Sequence, residues 1–241
     1  MNPKVSIVIP FYNCFYVDQA IQSALDQTYE NIEIIVVDDG SVKYTEKIEP
    51  FKDKITYLRK ENGGTATALN LGIQSATGEY YAWLSSDDVF LPEKISKQIS
   101  YMLANNADFS FANYDYVDKD NNLLIHWSGK RFSNNNEVNE FFLLGNPVNG
   151  CTVVMKKDIF DRVGYFNPVL CYTHDYDMWF RTLLNGYRLH YIDEILIRFR
   201  SHEESGTKKY QPQIKQEMFI VETNYRPLLR EFNKLHLPFS T

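Results

Sequence analysis

Ile32-Glu33-Ile34-Ile35-Val36-Val37-Asp38-Asp39-Gly40-Ser41 is the stretch whose pattern decides the fold. From Ile32 to Val37 the run has the character of a strand buried on both faces, and it stops at a cluster of turn formers. Val5 to Ile9 carries the same pattern upstream. Tyr80 to Leu84 carries it downstream and stops at Ser85-Ser86-Asp87-Asp88. Between them, Val17, Ala20, Ile21, Ala24 and Leu25 recur at helical spacing, and Ala66 to Ala76 reads as a helix ended by Gly78. Ile55 to Leu58 is a shorter strand candidate, and a helix is predicted to begin near Pro92, a residue suited to a first helical turn. Strands alternating with helices predict right-handed βαβ units and a mainly parallel sheet.

The second half is less regular. Asp118 to Asn122 reads as the turn of a hairpin, Cys151 to Met155 as a strand, and Asp175 to Leu184 as a helix closed by Asn185-Gly186. Two short strands are predicted on either side of Asp193-Glu194. Gln211 to Lys234 reads as a terminal helix or helix pair interrupted at Pro227.

A net charge of −6 over 241 residues argues against a nucleic-acid partner, which calls for a basic face. It does not argue against an anionic ligand, because a bound cation inverts the local field. Cys14, Cys151 and Cys171 lack a CxxC pair and read as reduced core residues of a cytoplasmic protein. No secretory h-region follows Met1-Asn2-Pro3-Lys4, and no apolar run reaches the length of a membrane span. A peripheral contact with the inner membrane face stays open on this reading, as does the oligomeric state.

Ligands of open α/β sheets sit beyond the carboxyl ends of the strands. Asp38-Asp39 and Asp87-Asp88 both fall there. Carboxylates accept from base N–H groups and ribose hydroxyls, or ligate a hard cation that bridges phosphate oxygens. Taken singly, each pair reads first as turn chemistry; two such pairs ending buried strands of one sheet favour a site.

The run Val5-Ser6-Ile7-Val8-Ile9-Pro10-Phe11-Tyr12-Asn13, then Gln27-Thr28-Tyr29 and Glu33 to Ser41, resembles the opening of family 2 inverting glycosyltransferases of the GT-A fold. Asn62-Gly63-Gly64, Ala68-Leu69-Asn70-Leu71-Gly72, Gly78-Glu79-Tyr80 and Ser86-Asp87-Asp88 continue the likeness in order. Val163-Gly164-Tyr165-Phe166, Asp175-Tyr176-Asp177-Met178-Trp179-Phe180-Arg181 and Arg198-Phe199-Arg200-Ser201-His202 extend it. The resemblance implies a Rossmann-like α/β sheet flanked by helices. It assigns a nucleotide-sugar half to residues 1–105, an acceptor and catalytic-base half to 106–210, and a C-terminal helical arm to 211–241.

The function so implied is transfer of a sugar from a UDP- or dTDP-linked donor to a saccharide or lipid-linked saccharide, with inversion, in cell-surface polysaccharide or glycoconjugate assembly. Pro10, Tyr12, Asn13, Asp39 and Gly64 are expected around the donor, with Asp39 accepting from the base. Asp87 is expected at the ribose or sugar, and Asp88 on a Mn²⁺ or Mg²⁺ ion that holds the diphosphate. Asp175 is expected as the general base, although an Asp at that place also suits a helix N-cap. His202 sits where some relatives bring a late histidine to the metal; His174 adjoins the base, and Trp179 suits either a sugar platform or the core.

The chain departs from the family pattern twice, with Ser85 where an Asp often begins the acidic motif and Leu69 where an Arg is common. That shortened motif motivates an alternative, a catalytically weak nucleotide-sugar-binding module of a larger assembly. Pro10-Phe11-Tyr12-Asn13 in place of a Gly-rich basic loop argues against a nucleotidyltransferase, and no GxGxxG supports a dehydrogenase.

Overall fold

The computed structural model describes residues 2–236; the start of the first half at residue 1 and the end of the arm at 237–241 lie outside the described residues. The strands are β1 (Val5–Phe11), β2 (Ile32–Asp38), β3 (Thr56–Arg59), β4 (Tyr80–Trp83), β5 (Val89–Phe90), β6 (Phe109–Val117), β7 (Leu123–Ile125), β8 (Val154–Lys156) and β9 (Leu189–Arg200). The helices are α1 (Val17–Leu25), α2 (Thr65–Ser75), α3 (Lys94–Ala104), α4 (Asn135–Phe141), α5 (Ile159–Val163), α6 (His174–Leu184), α7 (Gly206–Lys209) and α8 (Gln211–His236).

One sheet runs β3-β2-β1-β4-β8-β6-β9-β5, with β7 paired to β6 as a hairpin. The first four strands in that order are parallel, as the alternating pattern predicts. Beyond β4 the sheet is mixed: β8 is antiparallel to both β4 and β6, while β9 is parallel to β6. The chain therefore has an α/β sheet flanked by helices, with its wholly parallel part confined to the first half.

All seven residues of β1 are buried, because β1 is central and helices cover both faces. Pro10 is tolerated in this strand for a local reason. The β1–β4 pairing ends at Val8 and Trp83, so Pro10 lies past the last rung on that side and its missing N–H leaves no rung unmade.

Several expectations change in detail. The two strands expected around Asp193-Glu194 are one, β9, whose register against β6 slips between Ile192 and Ile195. The bulge turns Asp193 to an ion pair with Arg131 and Glu194 to Lys97, so the acidic pair relieves itself at the surface without breaking the strand. Residues 150–152 form a short 3-10 turn, leaving only Val154–Lys156 as strand. α8 continues through Pro227 as one helix, with Val221 and Leu229 buried on either side of it. Cys171 is exposed and Cys14 half-buried, so of the three cysteines only Cys151 is a core residue. Among the described residues, no helix is long and apolar enough to cross a membrane.

Gly72 lets α2 lie directly on β1. A Cβ there would stand 2.3 Å from Val8 Cγ1. Gly72→Ala is expected to lower stability by about 1–3 kcal/mol through overpacking, despite the gain in helix propensity. Urea denaturation checks this; an unchanged midpoint would mean that α2 lifts from the sheet without cost.

Candidate active site

Parallel register brings the carboxyl ends of β1, β2 and β4 to one edge, and the chain segments that follow them meet there. Tyr12 is 55% exposed just past β1. Asn13, in a left-handed conformation, accepts from the amides of Val42 and Lys43 and donates its own amide to Ser41 Oγ. It thus ties the loop after β1 to the loop after β2, a structural contribution to the donor edge.

The two members of the first acidic pair do different work. Asp38 is fully buried and closes the turn by accepting from the Ser41 amide and the Tyr57 hydroxyl. Burial and that carboxylate push the Tyr57 phenol up to about 12. Asp39 is engaged by the 60–64 loop. Its Oδ1 accepts from Lys60 Nζ at 2.6 Å and Gly63 N at 3.0 Å; its Oδ2 accepts from Gly64 N at 2.8 Å and Asn62 Nδ2 at 3.2 Å. The approach is so close that a Cβ on Gly40 would meet Asn62 N at 2.8 Å. Gly64 has φ +88° and only open space where a side chain would stand, so its backbone borders open space beside Asp39.

The second acidic pair also divides. Asp88 is 1% exposed: its Oδ1 accepts the Arg200 amide at 2.8 Å, and its Oδ2 is buried with no hydrogen-bond partner. Burial, reinforced by Asp87, raises its carboxyl well above the usual range. Asp87 instead keeps a quarter of its side chain exposed, and its Oδ2 lies 3.0 Å from His202 Nε2. Ser85, at the departure from the acidic motif, turns to Cys151 Sγ at 3.0 Å.

Arg200 organises this corner. It is buried, donates to Asp87 O, Lys119 O and Gln19 Oε1, and stacks over Tyr16, whose ring lies 5.2 Å from that of His202. A cavity of about 390 Å³ opens beside it, lined by Phe15, Tyr16, Gln19, Arg200 and the 119–121 turn.

The Asp88 carboxylate is buried, whereas Asp87 and His202 keep part of their side chains exposed and would be the accessible donors to a cation at this edge. The Asp87 carboxylate and the His202 imidazole are an oxygen and a nitrogen donor of the kinds that divalent cations accept. Among the described residues no cluster of three or more His, Cys, Asp or Glu side chains is arranged for a metal. Two donors suffice where phosphate oxygens and water complete the shell.

Asp175 is the second residue of α6, not its N-cap; that position is held by Thr173. Its Oδ1 accepts from the Tyr176 amide at 2.7 Å, and its Oδ2 faces Asn146 Nδ2 at 3.4 Å. Burial raises the carboxyl to about 6. The helix start is docked on the acidic edge: the His174 ring packs 5.6 Å from that of Trp83, at the end of β4, and 5.6 Å from Phe166. A Cβ on Gly150 would stand 2.2 Å from Trp83, so the 146–150 loop closes on the same ring. His174 is therefore a neutral core residue, held down to about 4 by burial, and Trp179 is wholly buried in the core. Asp177 and Arg181 form the ion pair their spacing suggests, at 2.8 Å.

Lys60, Cys151 and Arg200 are site-edge residues that pattern reading missed. Only Arg200 had a signal, its place in Arg-x-Arg-Ser-His; the other two arrive through loops whose paths no periodicity encodes.

A raised Asp175 has a consequence for stability. The folded protein holds this proton more tightly than the unfolded chain, whose carboxyl sits near 3.8. The favourable contribution is complete below that value and is lost as pH rises through about 6. Asp175→Asn is expected to be more stable than the native chain at pH 8, by on the order of 2 kcal/mol, with the gap closing by pH 4. Thermal melts at the two pH values check this; equal gaps at both would show that Asp175 carries no strain of ionisation.

Comparison with known proteins agrees with this architecture. The model for "Glycosyl transferase family 2" matches residues 6–164. An uncharacterised glycosyltransferase of Rickettsia typhi is 42% identical over 212 residues, 86% of this chain and 66% of its own length. A Rickettsia felis glycosyltransferase is 41% identical, with 36% of its length covered, so the chain spans no more than about two thirds of these relatives. WfaP of Escherichia coli, named as a UDP-Glc:α-D-GlcNAc-diphosphoundecaprenol β-1,3-glucosyltransferase, is 36% identical over 88% of this chain and 83% of its own. Crystal structures of S. aureus TarS share the fold: the complex with UDP-GlcNAc has a TM-score of 0.71 at 20% identity, covering 86% of this chain and 61% of that one. The chain belongs to glycosyl transferase family 2.

Proposed function

We propose that the chain transfers a sugar, glucose as the first choice, from a UDP-linked donor to a hydroxyl of a lipid-diphosphate-linked saccharide, with inversion. The observation that carries this reading is Asp175: a carboxyl raised to about 6 by burial, at the start of a helix docked on the edge that carries Asp87 and His202. Such a group is charged at neutral pH yet still basic enough to take a proton from an attacking hydroxyl. The uridine donor is supported by the nucleotide bound to TarS, and the donor sugar and acceptor class by the name of WfaP.

In the proposed reaction the acceptor oxygen attacks the anomeric carbon from the face opposite the phosphate. The new C–O bond forms as the bond to the diphosphate oxygen breaks, the hydroxyl proton passes to the Asp175 carboxylate, and UDP departs with the electron pair. Tyr12 offers an exposed ring to the base, and the Asp39 loop and Gly64 line the nucleotide side. Asp87 and His202 would hold a Mn²⁺ or Mg²⁺ ion, with the inward-facing Asp88 fixing the end of β9 through the Arg200 amide. Such a divalent ion supplies charge stabilisation to the departing diphosphate. A work site at a membrane surface, on the cytoplasmic face where nucleotide sugars are made, follows from a lipid-linked acceptor.

Calorimetric titration of UDP with and without Mn²⁺ is the first test. Asp87→Ala and His202→Ala are each expected to weaken Mn²⁺-dependent UDP binding by roughly 10–100-fold, with little effect on binding in EDTA. If Asp88→Asn alone removes the Mn²⁺ dependence, the ion belongs to Asp88.

Asp175→Ala is expected to cut glucosyl transfer from UDP-glucose to a synthetic GlcNAc-diphosphate lipid by about 10²–10⁴-fold while UDP binding persists. Native transfer should rise with pH through about 6, as the base ionises. Wild-type turnover in Asp175→Ala removes it from the base role. UDP binding without hydrolysis or transfer by the native chain would favour the donor-binding module that the serine at position 85 suggests.

A further inference from the structure

The segment that leads into α6 and the residue that holds it both lie beyond the matched family region. Residues 6–164 carry the match, and Glu217 lies on α8. Its Oε1 accepts the Cys171 amide at 3.0 Å. Its Oε2 accepts the Tyr172 amide at 2.9 Å and, each at 3.0 Å, the Thr173 amide and hydroxyl. One carboxylate thus collects three consecutive backbone donors and a side chain just before the helix that carries Asp175. Thr173, the N-cap, makes no capping hydrogen bond through its own side chain. Glu217 instead holds the chain entering the helix from outside, gathering the three amides that precede its first turn with charge-assisted bonds.

Further contacts align α8 along α6. Tyr210 stacks on Tyr172 with ring centroids 4.7 Å apart, and the Tyr225 hydroxyl donates to Asp177 at 2.8 Å while its ring stacks on Phe180. Glu222 receives the Tyr176 hydroxyl at 3.4 Å. These contacts fix the body of α6. The Glu217 clasp fixes its first turn, and the direction of the Asp175 carboxylate follows from that turn.

We infer that Glu217 is a positioning residue for the base, and that α8 reaches the active centre through this side chain. This rests on the reading of Asp175 as the base. Losing the clasp leaves three amides to water and frees the 171–173 segment to reset. A displacement of about 1 Å at a reacting group costs on the order of 10²-fold in rate.

The test uses the full chain with UDP-glucose, Mn²⁺ and the GlcNAc-diphosphate lipid. Glu217→Ala is expected to lose roughly ten- to a hundredfold in kcat with KM for UDP-glucose unchanged. Glu217→Gln is expected to recover part of it, because one oxygen still accepts from residues 172 and 173. Leu229→Ala, which thins buried packing of α8 about three turns beyond the clasp, is expected to lower Tm and leave kcat unchanged. Independently of any activity, hydrogen exchange at the amides of residues 171–173 is expected to accelerate in Glu217→Ala and less so in Glu217→Gln. Wild-type kcat in Glu217→Ala beside an inactive Asp175→Asn overturns the inference and leaves the base reading standing. So does unchanged exchange at 171–173, or a kcat loss in Leu229→Ala equal to that in Glu217→Ala. An active Asp175→Asn overturns the base reading itself, and the positioning role with it.

Discussion

Parallel pairing of β1 with β2 and β4 in matched register is the constraint on which the site depends. It places every turn that follows these strands on the same edge, whatever the loops contain. Burial of the whole of β1 holds that edge rigid, since a strand packed on both faces has no direction in which to slide. What remains for the loops is to decide which polar groups face the cleft and which face inward.

They decide it by burial and by saturation of hydrogen bonds. Asp38, Asp39, Asp87, Asp88 and Asp175 are the same side chain in five surroundings. Asp38 is consumed by a turn and a tyrosine, and Asp39 by the 60–64 loop. Asp88 is turned inward and pushed towards its neutral form, whereas Asp87 faces an imidazole with part of its surface open. Asp175 sits between these extremes, with two polar neighbours and a carboxyl poised near neutrality. Adjacent positions in the sequence thus differ more in chemistry than positions a hundred residues apart.

This is also where legibility ended. The four parallel strands, α1, α2 and the hairpin at Asp118 to Asn122 were readable, since burial on both faces leaves continuous β-branched runs and one-sided burial leaves helical spacing. The short helices α4 and α5, the two-residue strand β5 and the 3-10 segment Thr45–Lys54 were not: one or two turns repeat a period too few times to show it, and the 3-10 segment, with Pro50 inside it, does not follow α-helical spacing. The acidic pairs were legible as a site but not as an arrangement. Which member of Asp87-Asp88 turns inward depends on the Arg200 amide, which arrives from β9 more than a hundred residues later. Asp175 suits a cap by type, yet the cap position falls on Thr173, and the segment before it is held by a glutamate from another helix that no local pattern announces.

The Glu217 clasp bears on how the molecule divides. A boundary drawn at residue 210, at the foot of α8, keeps every side chain proposed to touch donor or acceptor and discards the helix against which the base-bearing helix is set. The set of groups that touch the reactants and the body that holds them still therefore have different limits in this chain: the first ends before α8, and the second includes it.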